Sequence, residues 1–276
     1  MSMSRREWID LPALARRAVE ARIGTVTRAE TAGAGINSAI ATTLHTDGGR
    51  VFLKGIALDH VQVDEQQREV EINPYVTDVA PRLLWQIGTA GWSLLGYEYV
   101  DGRRADYRPG SLDFPLLADA VRRLHKIPCP DVPQMLRLEK RLADFDGDGV
   151  DVSLFAGNDI MHTDWGKDNV LIGDNTVHVV DWAWPTRGPA WADIATLAVR
   201  LVEAGHTPSA ADEWARSEFP AWATAPERAV CHFAEAYLRL WNHILDEDPQ
   251  PWNALMVDAA RAWADHLNGA SRQTVR

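Results

Sequence analysis

His162-Thr163-Asp164-Trp165-Gly166-Lys167-Asp168-Asn169-Val170-Leu171-Ile172, followed by Val179-Val180-Asp181-Trp182, is the stretch on which the fold turns. Asp164, Asn169 and Asp181 carry oxygen donors at spacings of five and twelve residues. Residues 169–173 and 176–181 read as two short strands around Gly173-Asp174-Asn175, a turn-forming triplet. A hairpin there folds the chain back and brings Asn169, just before the first strand, beside Asp181 at the end of the second. A carboxylate and an amide oxygen side by side suit Mg²⁺, a hard cation that shares its coordination with substrate phosphates. Asp164, one loop away, is then placed to orient a hydroxyl or accept its proton during in-line attack on a phosphoryl group. The plain alternative is that these residues are turn formers and helix caps.

Upstream the chain is strand-rich. A short helix over 11–21 precedes strand-like runs at 24–31, 37–46 and 50–56, the last two joined by the tight-turn sequence Asp47-Gly48-Gly49. Residues 61–73 read as a helix that stops before Pro74, because proline disfavours helical geometry in its predecessor. Runs at 82–88 and 92–100 follow, with Ala90-Gly91 as their turn. Later, apolar residues spaced by three and four place helices at 113–126, 191–204, 226–245 and 252–267. The expected fold class is α+β. A five-stranded antiparallel sheet with one helix occupies 1–100, a link lies at about 96–102, and a mainly helical part at 101–276 holds the catalytic loop and an acceptor pocket. Ligand sites tend to lie in the cleft that such an arrangement leaves.

The pattern H-x-D-x(4)-N followed by an apolar-flanked Asp resembles the catalytic-loop and metal-Asp pattern of eukaryotic-like kinases. Asp181-Trp182 in place of DFG, with Gly188 and Asp193-Ile194-Ala195 downstream, is similar to the aminoglycoside phosphotransferase branch, the kinase-like enzymes that act on small molecules. The resemblance runs from about residue 25 to residue 200. It implies a bilobal protein-kinase-like fold, Asp164 as catalytic base, Asn169 and Asp181 as magnesium ligands, and His162 as a structural member of the loop. Asp193 matches a family residue assigned to bracing that loop. ATP or GTP is implied as donor, and a small-molecule hydroxyl as acceptor. An aminoglycoside or other antibiotic comes first as acceptor; a metabolite, sugar, nucleoside or peptide antibiotic is the alternative. A non-catalytic nucleotide-binding module is the third reading, disfavoured because lysine, base and both metal ligands are all present. A protein kinase is disfavoured because neither a DFG-type activation segment nor an A-P-E anchor follows Asp181.

The nucleotide side offers a separate check. Val51-Phe52-Leu53-Lys54 ends a strand on a lysine, as the kinase pattern requires, and Glu69, fifteen residues on, is its expected ion-pair partner, with Glu71 as the alternative. That pair holds the lysine toward the α- and β-phosphates. The small-residue loop at 31–38 lets backbone amides or Ser38 approach phosphates, and a plain β-turn is an equally good reading. In the link, Glu98 C=O and Val100 N–H align with the kinase contacts to the adenine edge. On the acceptor side Trp165 is the candidate for stacking on substrate, with helix core as the alternative, whereas Trp182 reads as core. Asp193 and Glu235 are among the carboxylates available to a cationic acceptor, as are Asp246, Glu247 and Asp248.

Composition narrows the partners. Twenty-eight Lys and Arg against 39 Asp and Glu give a net charge of −11 over 276 residues. Such a surface repels phosphate backbones and anionic lipid, so neither nucleic acid nor a membrane is an expected partner, and a cationic small molecule is compatible with it. At 46% hydrophobic and 24% charged, the chain is neither disordered nor fibrous. Cys129 and Cys231 are too few and too far apart for a zinc site or a disulfide scaffold. No apolar stretch follows Arg5-Arg6, and no run approaches the ~20 residues needed to span a bilayer, so the expected location is the cytoplasm.

Overall fold

The computed structural model describes residues 5–33, 38–147, 151–174 and 176–274. Helix α1 (Ala13–Ile23) follows Pro12 and ends at Gly24, whose φ of +89° only glycine adopts at no cost. Strands β1 (Arg28–Thr31), β2 (Ile40–Thr46) and β3 (Gly49–Ala57), helix α2 (Val63–Val76), and strands β4 (Leu83–Thr89) and β5 (Trp92–Glu98) come next. The strands form one antiparallel sheet in the order β1-β2-β3-β5-β4. Ala90 and Gly91, both at positive φ, make the type I′ geometry that matches strand twist, so the expected turn is there. The expected five-stranded sheet with its helix is therefore present, with β1 shorter than its sequence run.

Alternation along the strands decides what each sheet face does. Ile40, Leu44, Leu53, Trp92 and Leu94 point to one side and form a compact core with Trp8, Leu11, Ala15 and Val19 beneath α1. Ala41, Thr43, Phe52, Lys54 and Tyr97, one residue out of phase, line a cavity on the other side.

Helix α2 corrects one expectation, for it continues through Pro74 to Val76. A proline costs its helix an amide donor and restricts the preceding residue. Here Asn73 offsets that cost: its Nδ2 donates to Pro81 O at 2.8 Å and its Oδ1 accepts from Leu83 N at 2.7 Å, docking the helix end on the start of β4. Ile72 and Val76, with Val79 and Ala80, belong to a second, larger core that includes helices further along the chain.

That second core is built on β6 (Arg103–Arg104), α3 (Phe114–Leu124), β7 (Leu136–Arg137), α4 (Leu138–Arg141), β8 (Asp159–Met161), β9 (Val170–Ile172), β10 (Val177–Val179), β11 (Thr186–Gly188), α5 (Ala190–Glu203), α6 (Pro208–Glu218), α7 (Pro220–Ala223), α8 (Glu227–Glu247) and α9 (Pro251–Thr274). β9 and β10 are the expected hairpin, and β6 adds a third strand at its edge. β7, β11 and β8 form another small sheet that no sequence pattern announced, because strands of two or three residues carry no measurable period. α5 is the central helix, with every residue from Trp191 to Val199 buried. α6, absent from the sequence expectations, starts with Thr207 accepting from Ala210 N and Pro208 in the first turn. Cys129 and Cys231 are not joined in a disulfide. Among the described residues no helix is long and apolar enough to cross a membrane.

Candidate active site

β8 delivers the chain into the 162–169 loop, and the loop is held from below by buried polar groups. Thr163 takes a left-handed φ of +68°, which a β-branched residue holds only when its surroundings enforce it. They do: Thr163 N donates to Asp193 Oδ1 at 2.9 Å, and its hydroxyl accepts from Arg141 at 2.8 Å. Asp193, fully buried on α5, bonds through its other oxygen to His125 at 3.2 Å. His162 Nδ1 accepts from Asp164 N at 3.3 Å, so the ring proton sits on Nε2 and is donated to Val180 O at 3.0 Å. His162 thus ties the loop to the residue before Asp181.

Asp164 emerges from this loop with its side chain 40% exposed. Asn169 Nδ2 donates to its backbone oxygen at 3.1 Å and to Oδ2 at 2.9 Å, while Arg200 Nη2 meets Oδ1 at 2.9 Å. Withdrawal from bulk water would raise this carboxyl's pKa, but the Arg200 guanidinium outweighs it and holds the group below the usual carboxylate range. Asp164 is therefore ionised and oriented by two fixed donors.

Asn169 Nδ2 is engaged by Asp164, which leaves Oδ1 as the atom that could hold a cation. Val180 N donates to Asn169 O at 2.9 Å, bringing Asp181 next to it as the hairpin predicts. Asp181 sits at φ +64° and bonds through Oδ1 to Lys54 Nζ at 2.8 Å. Lys54 Nζ also contacts Glu69 Oε1 at 2.5 Å, and Tyr97 donates its hydroxyl to Glu69 Oε2 at 3.3 Å. Glu69 rather than Glu71 is thus the partner. Burial disfavours the ammonium, yet Asp181 and Glu69 together raise the lysine's pKa above its ordinary value. Burial pushes Glu69 up to about 7; Lys54 opposes that shift and Asp181 adds to it, two carboxylates competing for one ammonium.

Lys54, Glu69, Ser38, Glu98, Val100, Asn169 and Asp181 all line one cavity of about 290 Å³ between the sheet and the β9–β10 hairpin. The excess carboxylate there, with two hard oxygen ligands side by side, fits a divalent cation that completes its shell with phosphate oxygens. Among the described residues no group of three or more His, Cys, Asp or Glu is arranged to hold a metal, so the protein alone offers a partial shell. Residues 34–37 of the small-residue loop lie outside the described residues.

Three expectations for the acceptor side are corrected. Trp165 is 1% exposed, in the larger core and 5.6 Å from the His162 ring; its indole anchors the loop instead of facing a ligand. Asp193 has both carboxylate oxygens engaged by Thr163 and His125 and braces the loop from beneath, so it is not offered to substrate. Glu235 accepts from Asn268 on α9 at 3.4 Å, and lies half a helical turn away from Tyr237 and Trp241 on α8, which face Arg200. Trp182 is buried as expected, its indole N–H donated to Val179 O at 2.9 Å.

Several site residues went unread in the sequence. Arg200 follows Asp193 by seven residues, two turns along one face of a buried helix, and that polar repeat was a usable signal. Arg141 and Arg5, which lines the cavity and donates to Ala32 O at 3.0 Å, are brought in by tertiary structure alone.

No protein-family model and no curated protein matches the chain. Solved structures do. Choline kinase LicA from Streptococcus pneumoniae superposes with a TM-score of 0.64 at 11% identity, over 91% of this chain and 99% of that one. The chain has a protein-kinase-like fold. An aminoglycoside phosphotransferase from Alicyclobacillus acidocaldarius gives 0.60 at 13% identity, covering 90% and 93%. A thermostable mutant of aminoglycoside phosphotransferase APH(4)-Ia, in ternary complex with ADP and hygromycin B, gives 0.58 at 11% identity, covering 90% and 98%. All three are similar to this chain along almost its whole length, and at these identities the likeness is one of fold.

Proposed function

We propose that this chain is a Mg²⁺-dependent kinase that transfers the γ-phosphoryl group of ATP or GTP to a hydroxyl of a small molecule. The observation that carries the reading is the convergence of Lys54, Glu69, Asn169 and Asp181 on one cavity, with Asp164 bonded to Asn169 at its edge. Residues 1–100 and 101–276 act as two lobes about the 96–102 link, whose Glu98 and Val100 backbone groups meet the base. Lys54, held by Glu69, grips the α- and β-phosphates. Asn169 Oδ1 and the Asp181 carboxylate would hold Mg²⁺, which would supply neutralisation of the phosphate charge. Asp164 orients the acceptor hydroxyl. The hydroxyl oxygen bonds to the γ-phosphorus as the bond to the β–γ bridging oxygen breaks, the nucleoside diphosphate leaves, and the hydroxyl proton passes to Asp164. A carboxylate of low basicity suits this step, because a loose transition state asks more for positioning than for proton abstraction.

Among acceptors, the resemblance puts aminoglycosides and other antibiotics first. The side chains around Asp164 favour the alternative: Arg200 lies on the base, Arg141 on its neighbour Thr163, and such surroundings repel polyamines. The test is calorimetric titration with AMP-PNP with and without Mg²⁺, alongside nucleotide consumption across a hydroxyl-compound panel. In Asp181→Ala the Mg²⁺-dependent gain in affinity should disappear; a gain equal to wild type removes the metal role.

A further inference from the structure

Three guanidinium groups from three different elements gather around the backbone at 163–164 and 183–184. Arg200 of α5 is neutralised by Asp164 itself, at 2.9 Å. Arg141, last residue of α4, donates to Thr163 Oγ1 at 2.8 Å and to Thr186 Oγ1 at 2.7 Å, and its guanidinium carbon lies 5.2 Å from the Trp184 ring centre. Arg68 of α2 donates Nε to Ala183 O at 2.7 Å and lies 5.1 Å from the same ring. Arg68 and Arg141 thus give their bonds to a carbonyl and two hydroxyls and lie over an indole face; the Glu65 carboxylate acts on Arg68 and that of Asp164 on Arg141 only through space, with neither in ion-pair contact among the described residues. Both threonine bonds of Arg141 come from Nη1, whereas a guanidinium has five donors in a planar fork. A cation withdrawn from water is costly unless an anion meets it. Burial also pushes Arg141 down to about 10, which leaves it charged at neutral pH.

These groups are distinct from the nucleotide's. The cavity that holds Lys54, Asn169 and Asp181 is lined by none of Arg68, Arg141 and Arg200. They cluster around the backbone at 163–164 and 183–184, the two segments that adjoin Asp164 and Asp181.

We propose that Arg141 and Arg68, with the Trp184 face between them, select a hydroxylated acceptor that carries an anionic group, a carboxylate or a phosphate. The proposal rests on the phosphotransferase reading and names the acceptor class for the same site. The planar fork meets either anion through two parallel bonds, Trp184 offers its face to the acceptor's carbon skeleton, and Asp164 takes the hydroxyl. A polycationic acceptor would face two like charges before reaching the base.

The test compares three charge classes as acceptors with Mg·ATP: sugar acids and sugar phosphates, neutral sugars, and aminoglycosides, with ADP release as readout and Mg·AMP-PNP binding as control. Transfer confined to, or strongly favouring, the acidic class is expected. In Arg141→Gln the KM for the acidic acceptor should rise about tenfold to a hundredfold, the worth of a lost charge-assisted bond, while Mg·AMP-PNP affinity holds within about twofold. Arg141→Lys, which keeps the charge but not the fork, should recover part of the loss; it also serves if the glutamine variant loses Mg·AMP-PNP binding through misfolding. Preference for neutral or cationic acceptors overturns the proposal, as does an acidic-acceptor KM unmoved in Arg141→Gln. Transfer to none of the three classes by protein that still binds Mg·AMP-PNP overturns it too. Failure of the wild type to bind Mg·AMP-PNP overturns the phosphotransferase reading itself.

Discussion

The two sides of the candidate site are charged in opposite senses. Around Lys54, one ammonium is shared by Glu69 and Asp181, so the buried balance there is negative. Around Asp164, one carboxylate is met by Arg200, with Arg141 on the adjacent residue and Arg68 nearby, so the balance is positive. In the proposed reading two different ligands complete the site, a cation on one flank and an anion on the other. The chain's overall charge of −11 describes neither flank, which is why composition alone pointed toward a cationic acceptor.

The sharpest way to break that contrast is to delete the base. Asp164→Ala should lower kcat by roughly 10³-fold, within the range for losing a positioned proton acceptor, while Mg·AMP-PNP affinity changes less than about threefold. A larger effect on nucleotide affinity than on turnover would move Asp164 to the other flank. Lys54→Met comes next. It leaves Glu69 and Asp181 facing each other without their cation, so it should cost about 3 kcal/mol in denaturant unfolding and raise the nucleotide KM at least tenfold. Kinetics and stability equal to wild type would make Lys54 an ordinary strand-end residue.

A pH series probes the negative flank more gently. Glu69 must be ionised to hold Lys54, and its pKa is raised to about 7, so kcat/KM for nucleotide should fall as pH drops below neutrality. Stability runs the other way. Between the ordinary glutamate value of 4.5 and about 7, folded Glu69 binds more proton than the unfolded chain, so its contribution to stability declines as pH rises through that window. Glu69→Gln should flatten both trends, and an acid limb that survives the substitution assigns the titration to another group. The smallest effects belong to the residues set aside. Glu235→Gln should leave acceptor KM within about twofold, and Trp165→Phe should cost ~1–2 kcal/mol of stability with kcat nearly unchanged.

Much of this was legible because its signals are local. The hairpin that joins Asn169 to Asp181 is announced by alternating apolar residues around Gly173, and the Lys54–Glu69 separation spans one strand end and two helical turns. Trp165 was ambiguous for the opposite reason: a Trp beside a functional Asp looks the same in sequence whether it stacks on a ligand or anchors the loop. Its 1% exposure decides the matter, and exposure is a property of the fold. Pro74 misled because a local rule met a tertiary contact stronger than itself, the two Asn73 side-chain bonds. β6, β7 and β11 are too short for any rule to act on, and Arg141 reaches Thr163 across a separation of 22 positions that no spacing argument covers.

The way α2 ends has a practical corollary for anyone dissecting the molecule. Its first turns answer to the sheet through Glu69 and Lys54, but Ile72, Val76, Val79 and Ala80 are sunk among the helices of the other half. A fragment cut at residue 100 would carry those four side chains with nothing to cover them and should collapse or aggregate when expressed alone. Cleavage at the covalent link would leave the halves stapled together by that greasy tail.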